Sequence, residues 1–327
     1  MRTNRLGRSG VEVTELGFGG GPLGGLYAPL DDATAADALQ AAWQAGVRYF
    51  DTAPHYGIGH SERRTGALLA RHPAGSYTVS TKVGRLLVPQ QADGATDPHF
   101  HVPATHRRVW DFSRNGVRTS LADSQERLGV ERVDAAYLHD AENHAEAAFN
   151  QGYPALAELR EQGLVGAIGA GMHDSALLTR LVRTCDVDVV MVSGRFTLLD
   201  HSALDDLMPA CTQRGVSVLA ASVFNSGLLA RAEPDEDAYY DYAPAGAAVR
   251  ERARALAEVC AGHGVTLPQA ALAFPLRHPA VAAVVVGMRT AEEVHADTAA
   301  FEAPVPEALW SDLRRAGLID PRAPEGE

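Results

Sequence analysis

The chain has 327 residues, of which 46% are hydrophobic, and this is enough to bury one large core, so we predict a single domain over residues 1–327. Its 41 acidic and 29 basic side chains give a formal net charge of -12, which repels phosphate backbones and anionic lipid and argues against nucleic acid and membrane partners. Three cysteines without CxxC spacing, and no leader-like or membrane-length apolar run, predict a cytoplasmic protein without disulfides or structural zinc.

Short apolar runs alternate with longer segments of helical period along most of the chain. Residues 4–13, which contain Gly7 and Gly10, predict an N-terminal hairpin. Eight candidate strands follow. They are residues 15–18, 49–50, 77–81, 134–138, 165–169, 187–192, 216–220 and 281–286.

The segments between these strands have helical periodicity, and several of them end in glycine. The predicted helices are residues 32–45, 115–128, 155–162, 175–183, 202–214 and 247–262. Glycine in the left-handed conformation ends a helix, and the candidate positions are Gly46, Gly129, Gly163 and Gly215. Eight such units predict an α/β fold, a closed (β/α)8 TIM barrel. An open doubly wound sheet is the alternative, but the first turn, residues 17–22, lacks its GxGxxG spacing.

Two long segments interrupt the alternation, residues 85–113 and residues 230–245. Both follow predicted strands at the C-terminal end of the barrel, where barrel enzymes place their active sites. We interpret them as long βα loops that cover a substrate. The alternative is that they are surface insertions without a function.

Four polar side chains stand at or just after the ends of three successive strands: Asp51, Tyr56, Lys82 and His139. The carboxyl ends of neighbouring barrel strands lie close together, so these side chains can meet. An ammonium stabilises a phenolate, so we expect Lys82 to lower the pKa of Tyr56. Asp51 would keep Lys82 charged, and a neutral His139 would orient the reacting carbon. Taken singly, each residue could instead be a cap, a surface group or a core group.

Residues 46–57, GVRYFDTAPHYG, with Ser61 and Glu62, resemble the signature of the aldo-keto reductase family, and residues 79–83, VSTKV, resemble its lysine strand. The resemblance runs along nearly the whole chain. It implies that Asp51, Tyr56, Lys82 and His139 form the catalytic tetrad. It also implies a nicotinamide cofactor lying across the barrel mouth, without a metal ion or a Rossmann domain.

Within the family, five segments resemble bacterial aldose 1-dehydrogenases, which include fucose and galactose dehydrogenases, and pyridoxal 4-dehydrogenases. These are residues 18–27, 80–89, 168–172, 194–200 and 223–230. The resemblance implies oxidation of the hemiacetal carbon of an aldopyranose of the L-fucose, D-arabinose or L-galactose type to a lactone, with Tyr56 as the base. Alternatives are a pyridoxal 4-dehydrogenase, an NADPH-dependent aldehyde reductase and a non-catalytic nicotinamide-binding subunit.

The last barrel unit bears on cofactor choice. Relatives that prefer NADP hold its 2′-phosphate with a lysine and an arginine, and the matching positions here are Gly287 and Glu293. A carboxylate repels that phosphate, so we expect NAD. Arg289 leaves NADP open, because a guanidinium binds phosphate well.

The resemblance extends to further candidate contacts. Those for the cofactor, besides Asp51, are Gly20, Met172, His173, Ser193, Ser222, Phe224, Asn225, Gly227, Gly287, Met288, Arg289, Glu293 and Asp297. Ala221 stands where many relatives have the aromatic residue that stacks on the nicotinamide, so Phe196 or Phe224 is considered in its place. Those for the substrate, a sugar or an aldehyde, are Tyr56, His139, Leu26, Trp110 and Phe196. The oligomeric state is left open.

Overall fold

The structure is a computed structural model that describes residues 1–235 and 237–324. Eight of its strands are parallel and close into a barrel, and the remaining six form three antiparallel pairs. The strands are β1 (Thr3–Arg5), β2 (Glu12–Thr14), β3 (Leu16–Gly19), β4 (Tyr49–Asp51), β5 (Thr78–Val83), β6 (Arg85–Pro89), β7 (His106–Trp110), β8 (Val133–His139), β9 (Val165–Met172), β10 (Val189–Ser193), β11 (Ser217–Ala221), β12 (Tyr239–Tyr240), β13 (Ala243–Pro244) and β14 (Val281–Gly287).

The helices surround the barrel on its outside. They are α1 (Asp32–Gln44), α2 (His60–Leu69), α3 (Arg114–Leu128), α4 (Ala145–Ala147), α5 (Tyr153–Glu161), α6 (Ser175–Thr184), α7 (Leu207–Arg214), α8 (Ala247–Gly262), α9 (Leu267–Leu276), α10 (Ala291–Glu302) and α11 (Glu307–Arg315). A π-helical segment, Ala148–Gly152, joins α4 to α5. None of the helices in the described ranges is long and apolar enough to cross a lipid bilayer.

The barrel strands follow one another around the closed sheet in the order β3, β4, β5, β8, β9, β10, β11 and β14, and β14 pairs with β3. Most of these strands are buried on both faces, which explains why they are apolar runs without alternation, as in Val281–Gly287. The (β/α)8 barrel predicted from the sequence is therefore confirmed. All eight predicted strands lie within two or three residues of the observed bounds.

Local signals set the helix ends. Asp31, Ser113 and Thr290 each accept a hydrogen bond from a backbone N–H in the first turn of α1, α3 and α10, where that donor has no partner within the helix. The four glycines predicted to end helices all adopt the left-handed conformation, as Gly129 does after α3 with φ 67°. The chain can therefore turn sharply into the following strand.

The predicted N-terminal hairpin forms as the pair β1 and β2, and it closes the N-terminal mouth of the barrel. Leu6, Val11 and Val13 pack into the same buried cluster as the inward-facing side chains of the barrel, among them Tyr49 and Tyr137. Because this end is filled with apolar side chains, only the opposite mouth, at the carboxyl ends of the strands, is left for a binding site.

The first long βα loop, residues 85–113, contains an antiparallel hairpin of β6 and β7. One prediction about the connections needs correction. The predicted helix 202–214 is divided into a 3-10 turn, Ser202–Leu204, and α7. In the second long loop, β12 and β13 form a short pair, and residue 236 lies outside the described residues.

The barrel wall offers a direct test of strand packing at Gly169. A methyl group added there would lie 1.7 Å from the carbonyl oxygen of Val189 on the neighbouring strand, so β9 and β10 must separate to accept it. Overpacking a core typically costs about 1–3 kcal/mol. We expect Gly169→Ala to lower the free energy of unfolding by this amount or more. Gly171→Ala is the matched control, because a methyl group added at Gly171 would lie 3.6 Å from its nearest neighbour, the Cβ of Met191. Equal losses for both variants in urea unfolding would contradict this packing.

Candidate active site

A cavity of about 1240 Å³ opens at the carboxyl ends of the barrel strands. It is larger than typical small-molecule sites of roughly 300–1,000 Å³, so it has room for a large cofactor and a substrate together. It runs from the ends of β4, β5 and β8 to the start of α10, and both long loops contribute to its walls. The two long loops predicted from the sequence, residues 85–113 and 230–245, thus contribute residues to the cavity lining.

The four polar side chains of strands β4, β5 and β8 and of the β4–α2 loop meet at the floor of this cavity. Lys82 Nζ donates to Asp51 Oδ2 at 2.6 Å and to the carbonyl of Thr52 at 3.1 Å. The same Nζ lies 4.7 Å from the centre of the Tyr56 ring. The rings of Tyr56 and His139 meet edge to face, with centroids 5.9 Å apart. The predicted convergence of Asp51, Tyr56, Lys82 and His139 is what the structure displays.

The Lys82–Asp51 pair is almost completely buried, with 2% and 3% of the side chains exposed. Burial by itself lowers the pKa of Lys82, but the charges of Asp51 and Tyr56 and the hydrogen bonds to them together outweigh burial, and the pKa is raised above its usual value. Lys82 is therefore charged at neutral pH. This agrees with the role expected for Asp51.

The pKa of Tyr56 moves in the direction opposite to the sequence prediction. Burial raises it, the charge of Lys82 lowers it, and burial prevails, so the net shift is upward. The phenol is consequently protonated at neutral pH in the structure as it stands. Lys82 limits the rise but does not reverse it.

Two histidines beside Tyr56 are held in the neutral form. Burial, followed by the charges of Arg85 and Lys82, lowers the pKa of His139 well below its usual value. Burial and Arg85 likewise lower the pKa of His55 to about 2. Each ring has a buried Nδ1 without a hydrogen-bond partner among the described residues. A neutral imidazole at this place can form a hydrogen bond with the oxygen of a bound substrate.

A chain of hydroxyl groups beneath the tetrad fixes Asp51. Ser80 donates to Asp51 Oδ1 at 2.7 Å, and the hydroxyl of Tyr49 lies 3.0 Å from Ser80 Oγ and 3.1 Å from the hydroxyl of Tyr137. These side chains occupy the interior of the barrel. The carboxylate is thus oriented by partners that have no room to move.

Ser61 and Glu62 of the sequence motif form buried contacts that connect α2 to neighbouring elements. Ser61 Oγ donates to the carbonyl of Gly20 at 2.7 Å, and Glu62 is fully buried between Thr81 and Arg127. They connect α2 to the loop after β3 and to β5. Their contacts hold the loop that carries Tyr56 against the barrel.

The far end of the cavity is lined by charged residues at the start of α10: Arg289, Glu293 and Asp297. Glu293 accepts from the backbone N–H of Arg289 at 2.7 Å, and its other oxygen lies 3.6 Å from the guanidinium. Burial, reinforced by Glu293, raises the pKa of Asp297 to about 7. This end of the cavity therefore carries two carboxyl groups that can accept hydrogen bonds, and one cation, Arg289, that lies beside the carboxylate of Glu293.

The middle of the cavity fits a polar ligand. Asn225 is 2% exposed and lines the cavity, and neither its amide oxygen nor its amide nitrogen has a hydrogen-bond partner in the described parts of the chain. Buried amides normally have partners, so this one is suited to a group that enters the cavity. Ser193 and Ser222 lie beside it, with their hydroxyls 2.8 Å apart. A nicotinamide dinucleotide offers amide, hydroxyl and phosphate groups to such donors and acceptors.

Most of the candidate residues line this cavity. They are Leu26, Asp51, Tyr56, Lys82, His139, Met172, His173, Ser193, Ser222, Phe224, Asn225, Gly227, Gly287, Arg289, Glu293 and Asp297. Ala221, at the position of the expected aromatic residue, lines it too.

Four candidates do not line the cavity. Phe196 is buried against Phe274, and Met288 is fully buried. Gly20 packs on Ser61 so closely that a methyl group there would be 2.5 Å from its hydroxyl. Trp110 is 38% exposed and stands outside the cavity wall.

Several lining residues were not identified from the sequence. His55, His99, Phe100 and His101 form the wall above Tyr56, and Tyr242 faces His173 with ring centroids 5.9 Å apart. The two long loops were predicted to cover a substrate, but no pattern in the sequence identified which of their side chains would do so. In the described ranges, no group of three or more His, Cys, Asp or Glu side chains is arranged to hold a metal ion.

Comparison with known proteins agrees with this geometry. The model of the aldo/keto reductase family matches residues 15–317. A D-threo-aldose 1-dehydrogenase from a Pseudomonas species is 46% identical over 318 residues, which cover 95% of this chain and 96% of that one. A pyridoxal 4-dehydrogenase from Microbacterium luteolum is 38% identical over 334 residues, which cover 96% and 97%.

Among solved structures, the holo form of the aldo-keto reductase AKR11C1 from Bacillus halodurans superposes with a TM-score of 0.79. The superposition covers 98% of this chain and 97% of that chain. Its 23% sequence identity supports the fold alone.

The buried ion pair provides a test of how the site is held together. Asp51→Asn or Lys82→Met leaves one charge buried without its partner, and we expect each to lower the free energy of unfolding by about 3–5 kcal/mol. The double variant should lose less than the sum of the two. Asp186→Asn, which breaks an exposed pair with Arg8, is the control and should cost less than about 1 kcal/mol. Strict additivity in urea unfolding would contradict the coupling.

Proposed function

The chain belongs to the aldo/keto reductase family, and from this premise we propose that it oxidises the hemiacetal carbon of an aldopyranose to a lactone with NAD. The observation that carries the proposal is the buried Lys82–Asp51 pair beneath Tyr56, with neutral His139 beside it, in a cavity large enough for cofactor and sugar. The 46% identity to a D-threo-aldose 1-dehydrogenase supports the choice of substrate class. We take residues 1–327 as one enzyme domain, and its cytoplasmic location stays a prediction.

The reaction needs a base for one proton and an orienting group for one oxygen. NAD, when bound, supplies the acceptor for the hydride of the hemiacetal carbon. Tyr56 takes the proton of the hemiacetal hydroxyl as the carbon–oxygen double bond of the lactone forms. Lys82 stabilises the phenolate of the ionised Tyr56 and is itself kept charged by Asp51. His139 donates to or accepts from the reacting oxygen and fixes its position.

We propose that NAD is held by residues along the length of the cavity. The candidates are Met172, His173, Ser193, Ser222, Phe224, Asn225, Gly227, Gly287, Arg289, Glu293 and Asp297. The unpartnered amide of Asn225 would bind a polar group of the cofactor. Arg289 lies 3.6 Å from Glu293, whose negative charge would repel a 2′-phosphate. The carboxylates of Glu293 and Asp297 can accept hydrogen bonds from ribose or base donors.

The proposed activity can be tested by following NAD reduction at 340 nm. The wild-type protein is mixed with NAD and D-arabinose, L-fucose, L-galactose or pyridoxal in separate assays. We expect turnover with the sugars. Turnover with pyridoxal alone would favour the activity named for the 38% identical relative. Binding of NAD without turnover on any compound would favour a non-catalytic nicotinamide-binding protein.

Tyr56→Phe tests the assigned base. The variant keeps the ring and its packing but loses the hydroxyl that accepts the proton, so we expect oxidation of D-arabinose to fall at least 1,000-fold, near the upper part of the range for acid–base groups of about 10²–10⁴. NAD affinity, measured by quenching of protein fluorescence, should change less than about twofold. Retention of more than a tenth of the activity would refute the assignment.

The pKa shifts predict how oxidation depends on pH. The pKa of Tyr56 is raised above 10, so the base form is scarce at pH 7 and increases tenfold per pH unit. His139 stays neutral, so it contributes no break near pH 6.5. We expect kcat/KM for the sugar, measured with saturating NAD so that the titration of Asp297 is excluded, to rise steadily from pH 6 to 9. A constant or falling profile would contradict this.

Glu293→Gln tests the choice between NAD and NADP. Removing the negative charge also releases Arg289, so we expect the ratio of the KM for NADP to the KM for NAD to fall about tenfold, equivalent to about 1.4 kcal/mol. Glu292→Gln is the control, because Glu292 is exposed on the same turn and does not line the cavity. A wild-type protein that already prefers NADP would overturn the proposal for NAD.

A further inference from the structure

Asp140 is an acidic residue of the cavity wall that the reaction described above does not use. It follows His139 at the end of β8, and its backbone has φ 39°, a left-handed conformation that few residue types adopt. Its N–H donates to the carbonyl of Gly171 at 2.9 Å. This strained turn points the carboxylate into the cavity instead of continuing the strand.

Arg85 anchors this carboxylate. Its guanidinium forms an ion pair with Asp140 Oδ2, and its side chain is 11% exposed. The guanidinium also stacks on the ring of Trp110, 4.1 Å from its centre, and Arg85 and Trp110 are directly paired in the β6–β7 hairpin. Trp110, expected to contact the substrate, therefore supports the arginine that positions Asp140.

Asp140 lies next to the group that orients the reacting oxygen. Its Oδ2 is 3.6 Å from His139 Nε2. A substrate oxygen within hydrogen-bond distance of that histidine is thus close to the carboxylate as well. Burial raises the pKa of Asp140 above its usual value, and the charge of Arg85 opposes this rise without reversing it. The ion pair with Arg85 favours the ionised carboxylate. An ionised carboxylate accepts hydrogen bonds and donates none.

We propose that Asp140 is a specificity-determining residue that binds the hydroxyl on the carbon next to the reacting carbon, C2 of the sugar. The inference rests on the proposed function. The hemiacetal carbon of a pyranose has two ring neighbours, the ring oxygen, which has no proton to donate, and C2, whose hydroxyl can donate. A carboxylate only accepts hydrogen bonds, so it can bind the C2 hydroxyl, whereas it repels the lone pairs of the ring oxygen. Asp140 therefore also sets which way round the sugar enters.

The test compares two substrates that differ at C2 alone, D-arabinose and 2-deoxy-D-erythro-pentose, on the wild-type protein, Asp140→Ala and Asp140→Asn. Loss of a hydrogen bond to a charged group corresponds to roughly 10- to 100-fold in kcat/KM. We expect the wild-type protein to prefer D-arabinose by that factor. Asp140→Ala should lose the same factor on D-arabinose, mainly through KM, and nothing further on the deoxy sugar. Asp140→Asn, which keeps the volume and one acceptor, should fall between them.

Asp186→Asn is the control, since this carboxylate pairs with Arg8 and Arg160 before the start of β10, at the opposite end of the barrel. It should leave the ratio between the two sugars unchanged. If Asp140 only supports His139, both of its variants will lower kcat equally on the two sugars and the ratio will persist, which overturns the inference. An active wild-type protein with no preference between the sugars overturns it too. A wild-type protein that reduces no NAD with D-arabinose, L-fucose or L-galactose overturns the proposed function itself.

Discussion

The structure of the site depends on one buried ion pair, Lys82 with Asp51. Two charges removed from water are costly unless each finds a partner and further hydrogen bonds, and here Ser80 and the carbonyl of Thr52 supply them. The pair can exist only because the barrel closes β4 against β5 and fills its interior with tyrosine hydroxyls below. The charge of Lys82 in turn limits how far burial raises the pKa of Tyr56. The closed barrel, the buried ion pair and the protonation of Tyr56 therefore depend on one another.

The sequence predicts the barrel well because its signals are local. A buried strand such as Val281–Gly287 is apolar throughout, and a glycine such as Gly129 ends its helix in a left-handed conformation that turns the chain. The β6–β7 hairpin was not predicted, because Arg85–Pro89 and His106–Trp110 are separated by a segment without period. Pairing of that kind depends on the surface beneath it and leaves no pattern in the intervening residues.

The sequence predicts the positions of site residues that end adjacent strands. It does not predict the contacts and pKa shifts that depend on how side chains pack. Asp51, Lys82 and His139 end adjacent strands, so their convergence follows from topology alone. The net pKa shift of Tyr56 depends on its burial, which no spacing reveals. Phe196 and Trp110 are aromatic residues near the right place in the sequence, but one packs into the core and the other under Arg85. His99 and Phe100 reach the cavity only because the hairpin folds over it.

In the proposed reaction, hydride leaves a hemiacetal carbon that is held beside Tyr56 and His139. The most direct measurement uses D-arabinose carrying deuterium at C1, with NAD and the wild-type protein, and analyses both products by mass spectrometry. We expect NADH that carries the deuterium and a lactone that has lost it, formed more slowly than with the unlabelled sugar. Reduced cofactor without deuterium, or a product that keeps it, would contradict the assignment of the reacting carbon.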